Sequence, residues 1–137
     1  AITPAAGSTD LVGAFAIGII TPIVCFVMVA VIKPYFKYDD ALDAFGVHGM
    51  GGIIGSILTG VFATTAVRGA GGAEGALYGD WHQLWVQIEA TLISILYSAV
   101  VTYILYVLVD KLIGMRVCRR VEEEGLDIYE HGESAYN

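Results

Sequence analysis

Charge is scarce in this chain. Asp, Glu, Lys and Arg make up 15% of its 137 residues, where a soluble domain of that size carries about a quarter. The shortfall points to the membrane class. Cysteine is scarcer still. Cys25 falls inside an apolar run and Cys118 beyond the last one, and neither has a CxxC or metal-ligand neighbour. They read as a small packing residue and an exposed thiol, with no disulfide, no metal site and no cofactor implied. Cations are missing from the C-terminal end, where six acids and no Lys or Arg follow Val121 and account for most of the net charge of −7. A phosphate backbone needs clustered cations, so nucleic acid is excluded as a partner. The Gly-rich stretch RGAGGAEGALYGDWHQ lacks a phosphate-cradling fingerprint. Glu74 stands where the last glycine of GxGxxG is needed and no strand precedes it, so the stretch reads as a surface loop.

What is abundant is uncharged sequence. After the acids Asp39, Asp40 and Asp43, no charged side chain occurs until Arg68, a run long enough to cross a bilayer as a helix. An ionisable group within such a run is costly and marks a functional position by default, and this one holds His48. Positions i+4, i+7, i+8 and i+11 from it are Gly52, Gly55, Ser56 and Thr59, all small and on one helical face. Gly51 and Gly55 form a GxxxG pair, and Gly52, Ser56 and Gly60 extend a small-residue ladder of the kind that lets helix backbones approach in lipid. The spacing thus predicts a packed or water-lined face carrying His48. It leaves open whether the imidazole bonds a neighbouring carbonyl or lines a pore. Asp43, near the start of the run, suits either an N-terminal cap or an acid coupling the pore to the cytoplasmic tail.

Three spans are predicted, over about residues 11–32, 44–67 and 84–109. Pro22 is expected to kink the first without breaking it, with Lys33, Pro34, Tyr35 and Lys37 closing it. Ser94, Ser98 and Thr102 give the third a small polar face for packing. Three spans place the loop after span one and the tail after span three on one side, with Lys33, Lys37, Lys111, Arg116, Arg119 and Arg120 there and only Arg68 opposite. The asymmetry predicts a cytoplasmic C-terminus.

Three stretches together resemble the ammonium transporter family (Amt/MEP/Rh): AITPAAG at Ala1 to Gly7, DDALDAFGVHGMGGIIGSILTGVFA at Asp39 to Ala63, and GLDIYEHGESAY at Gly125 to Tyr136. The resemblance implies an all-α integral membrane protein whose three helices are a fragment, the C-terminal third, of an eleven-helix fold. A start within the first motif and the lack of a signal-peptide pattern fit a fragment. It implies residues 1–116 as a partial transport domain in the plasma (inner) membrane and 117–137 as a cytoplasmic regulatory tail. It also implies ammonium or ammonia as substrate, a histidine-lined apolar pore, no enzymatic activity, a homotrimer in the lipid bilayer completed by the remaining helices, and a PII signal protein as a possible partner. His48 matches one of the family's two pore histidines through FGVHG, with Ala44 beside it in the pore. Gly51, Gly52, Gly55, Ser56 and Thr59 serve helix packing. In the tail, Gly125 and Gly132 make turns while Asp127, His131 and Glu133 make polar contacts with loops such as 33–43; with Asp43 they form the regulatory set. The alternative readings are an ammonium sensor coupled to a signalling output, and a haem-binding membrane protein, which would need axial ligands that His48 alone does not supply.

Overall fold

The computed structural model describes residues 1–133. The last part of the tail motif, Ser134 to Tyr136, lies outside the described residues. Three helices are long and apolar enough to span a membrane: span one, Leu11–Phe36; span two, Ala44–Phe62; and span three, Trp81–Leu112. Among the described residues there is no strand, only one bridge between Thr9 and Ala63. The chain divides into two compact units, Ala1–Ile95 and the residues from Leu96 on. That division falls inside span three.

Span one starts at a proper cap. Asp10 is extended and its Oδ1 accepts from Gly13 N at 2.8 Å, satisfying one of the orphan donors of a helix start. The helix runs unbroken through Pro22 and ends four residues later than residue 32. The reason is a π-helical turn, Met28–Ile32, in which Lys33 N bonds Met28 O. Proline normally ends a helix because its ring meets the carbonyl four residues back. The widened turn shifts that carbonyl, so the helix continues through Pro34 to Phe36. Lys37 then stops it in the left-handed region at φ 53°.

Span two ends earlier than predicted, at Phe62 and not near residue 67. Ala63 is extended, with ψ 141°. Its carbonyl accepts from Gly75 N at 2.7 Å, and Thr64 N donates to Ser8 O at 2.8 Å. Thr64 Oγ1 then caps a separate turn, Thr65–Arg68, through Ala66 N. A hydroxyl residue can offer the backbone a local partner that competes with the helix, and Thr64 does so here. Span three is 32 residues, about 48 Å at 1.5 Å per residue. It therefore outreaches a hydrocarbon core of about 30 Å. Asp80 Oδ1 accepts from His82 N at its start, and Asp110 Oδ1 from Met115 N just past its end.

Glycines decide where the elements meet. Gly51 and Gly55 are buried, with Thr59 and Gly60. A Cβ on Gly51 would touch Cys25 Sγ and Thr21 Cγ2 of span one at 3.7 and 3.8 Å, and one on Gly60 would come within 2.8 Å of Leu84 Cα in span three. Ile17, fully buried, is the largest side chain of this small core, alongside Ala5, Cys25 and Ala63. Most large apolar side chains, including Phe15, Phe26, Ile93 and Leu96, are exposed. Such a surface suits lipid or further helices. Ser94, Ser98 and Thr102 are exposed too, so their ladder packs on nothing among the described residues.

A contrast tests this packing. Gly60→Ala forces backbone apart and should cost about 1–3 kcal/mol. Gly52→Ala, where a Cβ meets nothing within 4 Å, should be neutral or stabilise the helix by up to about 1 kcal/mol. Unfolding of the two variants in mild detergent by denaturant titration measures both.

Candidate functional site: the opening turn of span two

The segment AFGVHG, Ala44–Gly49, is a π-helical turn that leads into the regular helix Met50–Phe62. Wide turns of this kind are frequent at functional positions. It lies against the other wide turn, in span one. Gly46 is buried there, and a Cβ on it would come within 2.8 Å of Val29 Cγ2. Cys25 Sγ donates to Val47 O at 3.5 Å. Phe45 meets Tyr38 edge-on, ring centres 5.9 Å apart.

Acidic side chains set the entry to the turn, though not as its sequence suggests. Asp43 occupies the residue before the turn, in the left-handed region at φ 53°, but its side chain caps nothing. The cap is Asp40, whose Oδ2 accepts from Phe45 N at 3.0 Å and Gly46 N at 3.2 Å. Asp43 instead takes Lys33: Lys33 Nζ lies 2.5 Å from Asp43 Oδ1 and 2.6 Å from Asp40 O. Lys33 therefore bends back onto the loop. Asp43 is short and polar, which suits αL, so its backbone frees its carboxylate to reach the end of span one.

The predicted face divides in two. Gly51, Gly55 and Thr59 are buried, and Thr59 Oγ1 donates to Gly55 O within its own helix. His48, Ala44 and Val47 are exposed, while Gly52 and Ser56 are half-buried. The face drawn at 3.6 residues per turn assumed one helical pitch from His48 onward, and the wide turn breaks that assumption. His48 is consequently not on the packed face of this chain; it is presented outward beside it. Next to the turn runs a mostly apolar groove of about 510 Å3, with Ile17, Thr21, Cys25, Val47 and Gly51 in its walls and without His48. Thr21, 6% exposed, puts a hydroxyl there that has no partner among the described residues. Sequence reasoning missed Asp40, Lys33 and Cys25. A signal existed for the first two, since three acids follow the last cations of span one across a short connection.

At the opposite end of span two, the Gly-rich loop is tied down. Glu74 Oε1 accepts from Thr65 N at 3.1 Å and from the Thr65 hydroxyl, and Tyr78 donates to Asp10 Oδ2 at 3.3 Å. The Thr65 hydroxyl holds the Glu74 carboxyl below the usual glutamate range, against a smaller opposing effect of burial. Burial, and then the Asp10 charge, raises Tyr78.

The tail segment is ordered by short-range bonds. Arg119–Glu124 is a helix with Val121 buried, and Arg119 and Arg120 pair with Glu123 and Glu124 at i,i+4. Arg116 pairs with Glu122 at 2.7 Å and lowers its pKa. Gly125 and Gly132 hold φ 99° and 64° on either side of a wide turn, Asp127–His131, and Glu133 N closes it onto Asp127 O at 3.1 Å. Asp127, His131 and Glu133 are exposed. Among the described residues no three His, Cys, Asp or Glu side chains gather as a metal site.

Three long apolar helices, polar caps at their ends and a histidine presented from a wide turn within one of them define a multi-span α-helical membrane protein. The Ammonium Transporter Family model matches residues 1–136, and the chain belongs to that family. It is 49% identical over its whole length to an ammonium transporter of Aquifex aeolicus, covering 31% of that protein. It is 46% identical over 99% of its length to an ammonium transporter of Bacillus subtilis, covering 33%, and 42% identical over 98% to a putative ammonium transporter of Methanothermobacter thermautotrophicus, covering 33%. The chain thus spans about a third of the length of these relatives.

Two predictions follow from the ends of span two. Asp40→Ala removes the cap and should cost about 1 kcal/mol, whereas Asp43→Asn, which keeps a residue at ease in the left-handed region, should cost less than about 1 kcal/mol; denaturant titration ranks them. Glu74, with its folded pKa below the unfolded one, contributes stability that is full above the ordinary glutamate range and is lost as pH falls through the lowered value. Amide exchange at Thr65 should therefore quicken on acidification below that range, and Glu74→Gln should abolish most of the pH dependence.

Proposed function

We propose that this chain is the C-terminal third of an ammonium transporter and forms part of its conduction path. The observation that carries the reading is the family match along residues 1–136 combined with His48 standing exposed on an otherwise apolar span. Three helices alone do not enclose a path. The remaining helices of the protein cover the exposed face of span two and bring His48 and Ala44 into a narrow apolar pore. Bare ammonium is very costly to place in hydrocarbon. An imidazole accepts at one nitrogen and donates at the other, so it can hold ammonium by a hydrogen bond or separate its proton from ammonia. No bond of the substrate other than N–H is touched, so the protein is a transporter and not an enzyme.

Residues 1–116 form the membrane part, in the plasma (inner) membrane, and 117–137 a cytoplasmic regulatory tail; the six-to-one cation asymmetry supports that orientation. Gly51, Gly55 and Thr59 pack span two within the chain, and Gly52 and Ser56 pack it against helices outside. The left-handed turns at Gly125 and Gly132 support a folded tail. In the homotrimer, Asp127, His131 and Glu133 meet the 33–43 loop, where Asp43 links them to the pore, and a PII signal protein docks on the same face.

In the intact transporter, His48→Ala should alter ammonium conduction or its selectivity while the protein still assembles. Unchanged uptake and selectivity would reduce His48 to a contact between helices. Deleting Gly125 to Asn137 should lower transport and leave the assembly folded, as read by uptake alongside size-exclusion chromatography.

A further inference from the structure

Four backbone groups on the N-terminal side of His48 are held from outside the span-two turn. Asp40 Oδ2 takes the N–H groups of Phe45 and Gly46. Val47 N bonds Asp43 O at 2.8 Å, and Val47 O receives the Cys25 thiol. Asp40 and Asp43 are themselves gripped by one group, the Lys33 ammonium, through the Asp40 carbonyl and the Asp43 carboxylate. Lys33 stands immediately after the wide turn of span one, Met28–Ile32, whose Val29 faces Gly46. A π-helical turn exists only while its bonds run to the fifth residue; relaxing to the ordinary pitch turns the side chains it carries about the helix axis.

From this network we propose that Lys33 is a positioning residue for His48. Acting through Asp40 and Asp43, it keeps Ala44–Gly49 wide and so fixes the direction in which the imidazole is presented. Lys33 touches no substrate. Its effect on transport passes through His48 and rests on the pore reading above, but its effect on His48 itself does not. A half-buried ammonium with two oxygen partners is charge-assisted at both. It is therefore stiffer than an exposed surface pair, and its loss frees the Asp43 carboxylate and the Asp40 carbonyl at once. The same arrangement joins the end of span one to the start of span two, so a shift of one is transmitted to the imidazole carried by the other.

The experiment is made on the intact transporter with nitrogen-labelled histidine, the His48 resonances being assigned by their loss in His48→Ala. Lys33→Met keeps most of the stem and removes the ammonium; Lys33→Arg keeps a cation. Lys33→Met should move the His48 imidazole resonances. It should also change the ratio of ammonium to methylammonium uptake about tenfold, the lower end of what one carbon discriminates in an apolar pocket. Lys33→Arg should return both toward the parent. Unmoved His48 resonances in folded Lys33→Met overturn the proposal, and moved resonances with an unchanged ratio overturn its reach into transport. Should Lys33→Met fail to assemble, Asp43→Asn decides by the same two readings. If His48→Ala itself transports normally, the pore reading falls, and the resonances alone judge the positioning role.

Discussion

Close approach of backbones at glycine is the contact on which the rest of this structure depends. Lipid tails are as apolar as the side chains that face them, so helices in a membrane gain little by hiding leucine from their surroundings and much by packing tightly. Span two packs through Gly51 against Cys25 and Thr21, and through Gly60 against the first turns of span three. Gly46 does the same between the two wide turns. Gly51 and Gly60 lie nine residues apart, about half a turn around a regular helix, so spans one and three meet span two on different sides. His48 remains exposed beside these contacts.

The ends of the spans are settled by polar groups, since a helix in hydrocarbon has no water to satisfy its last donors and acceptors. Asp10, Asp40, Thr64 and Asp80 each accept from a backbone N–H at the start of a helix or turn. Proline is accommodated in another way. Pro22 lies within a regular helix, while Pro34 is preceded by a widened turn. That second solution places one wide turn opposite another and makes the neighbourhood of His48 a place where two helices depart from regular pitch together.

The three spans and their order were legible because they follow from long-range composition, the charge-free runs. The details that were not legible are those decided by local competition. Whether Asp40 or Asp43 caps span two depends on a left-handed residue at 43, and nothing in DDALD distinguishes the candidates. The end of span two at Phe62 depends on Ser8 and Gly75, far away in sequence, accepting and donating to Thr64 and Ala63. His48 is exposed in this chain, carried on a turn whose pitch differs from the regular helix that the spacing assumed. Only a structure reveals a turn of different pitch, although the crowding of Gly46 and Gly49 around the histidine hinted at it. In the tail, the spacing of Arg119 and Arg120 to Glu123 and Glu124 was a readable ion-pair signal that overall acidity obscured.

An electron-microscopy density map of the intact transporter in a lipid bilayer tests the central claim most directly. The account predicts that the His48 imidazole is covered by helices lying outside this chain, faces a narrow path, and is carried on a wide turn with Lys33 seated on Asp43. A map in which His48 points into lipid, or in which Gly51 and Gly60 face away from spans one and three, would contradict it.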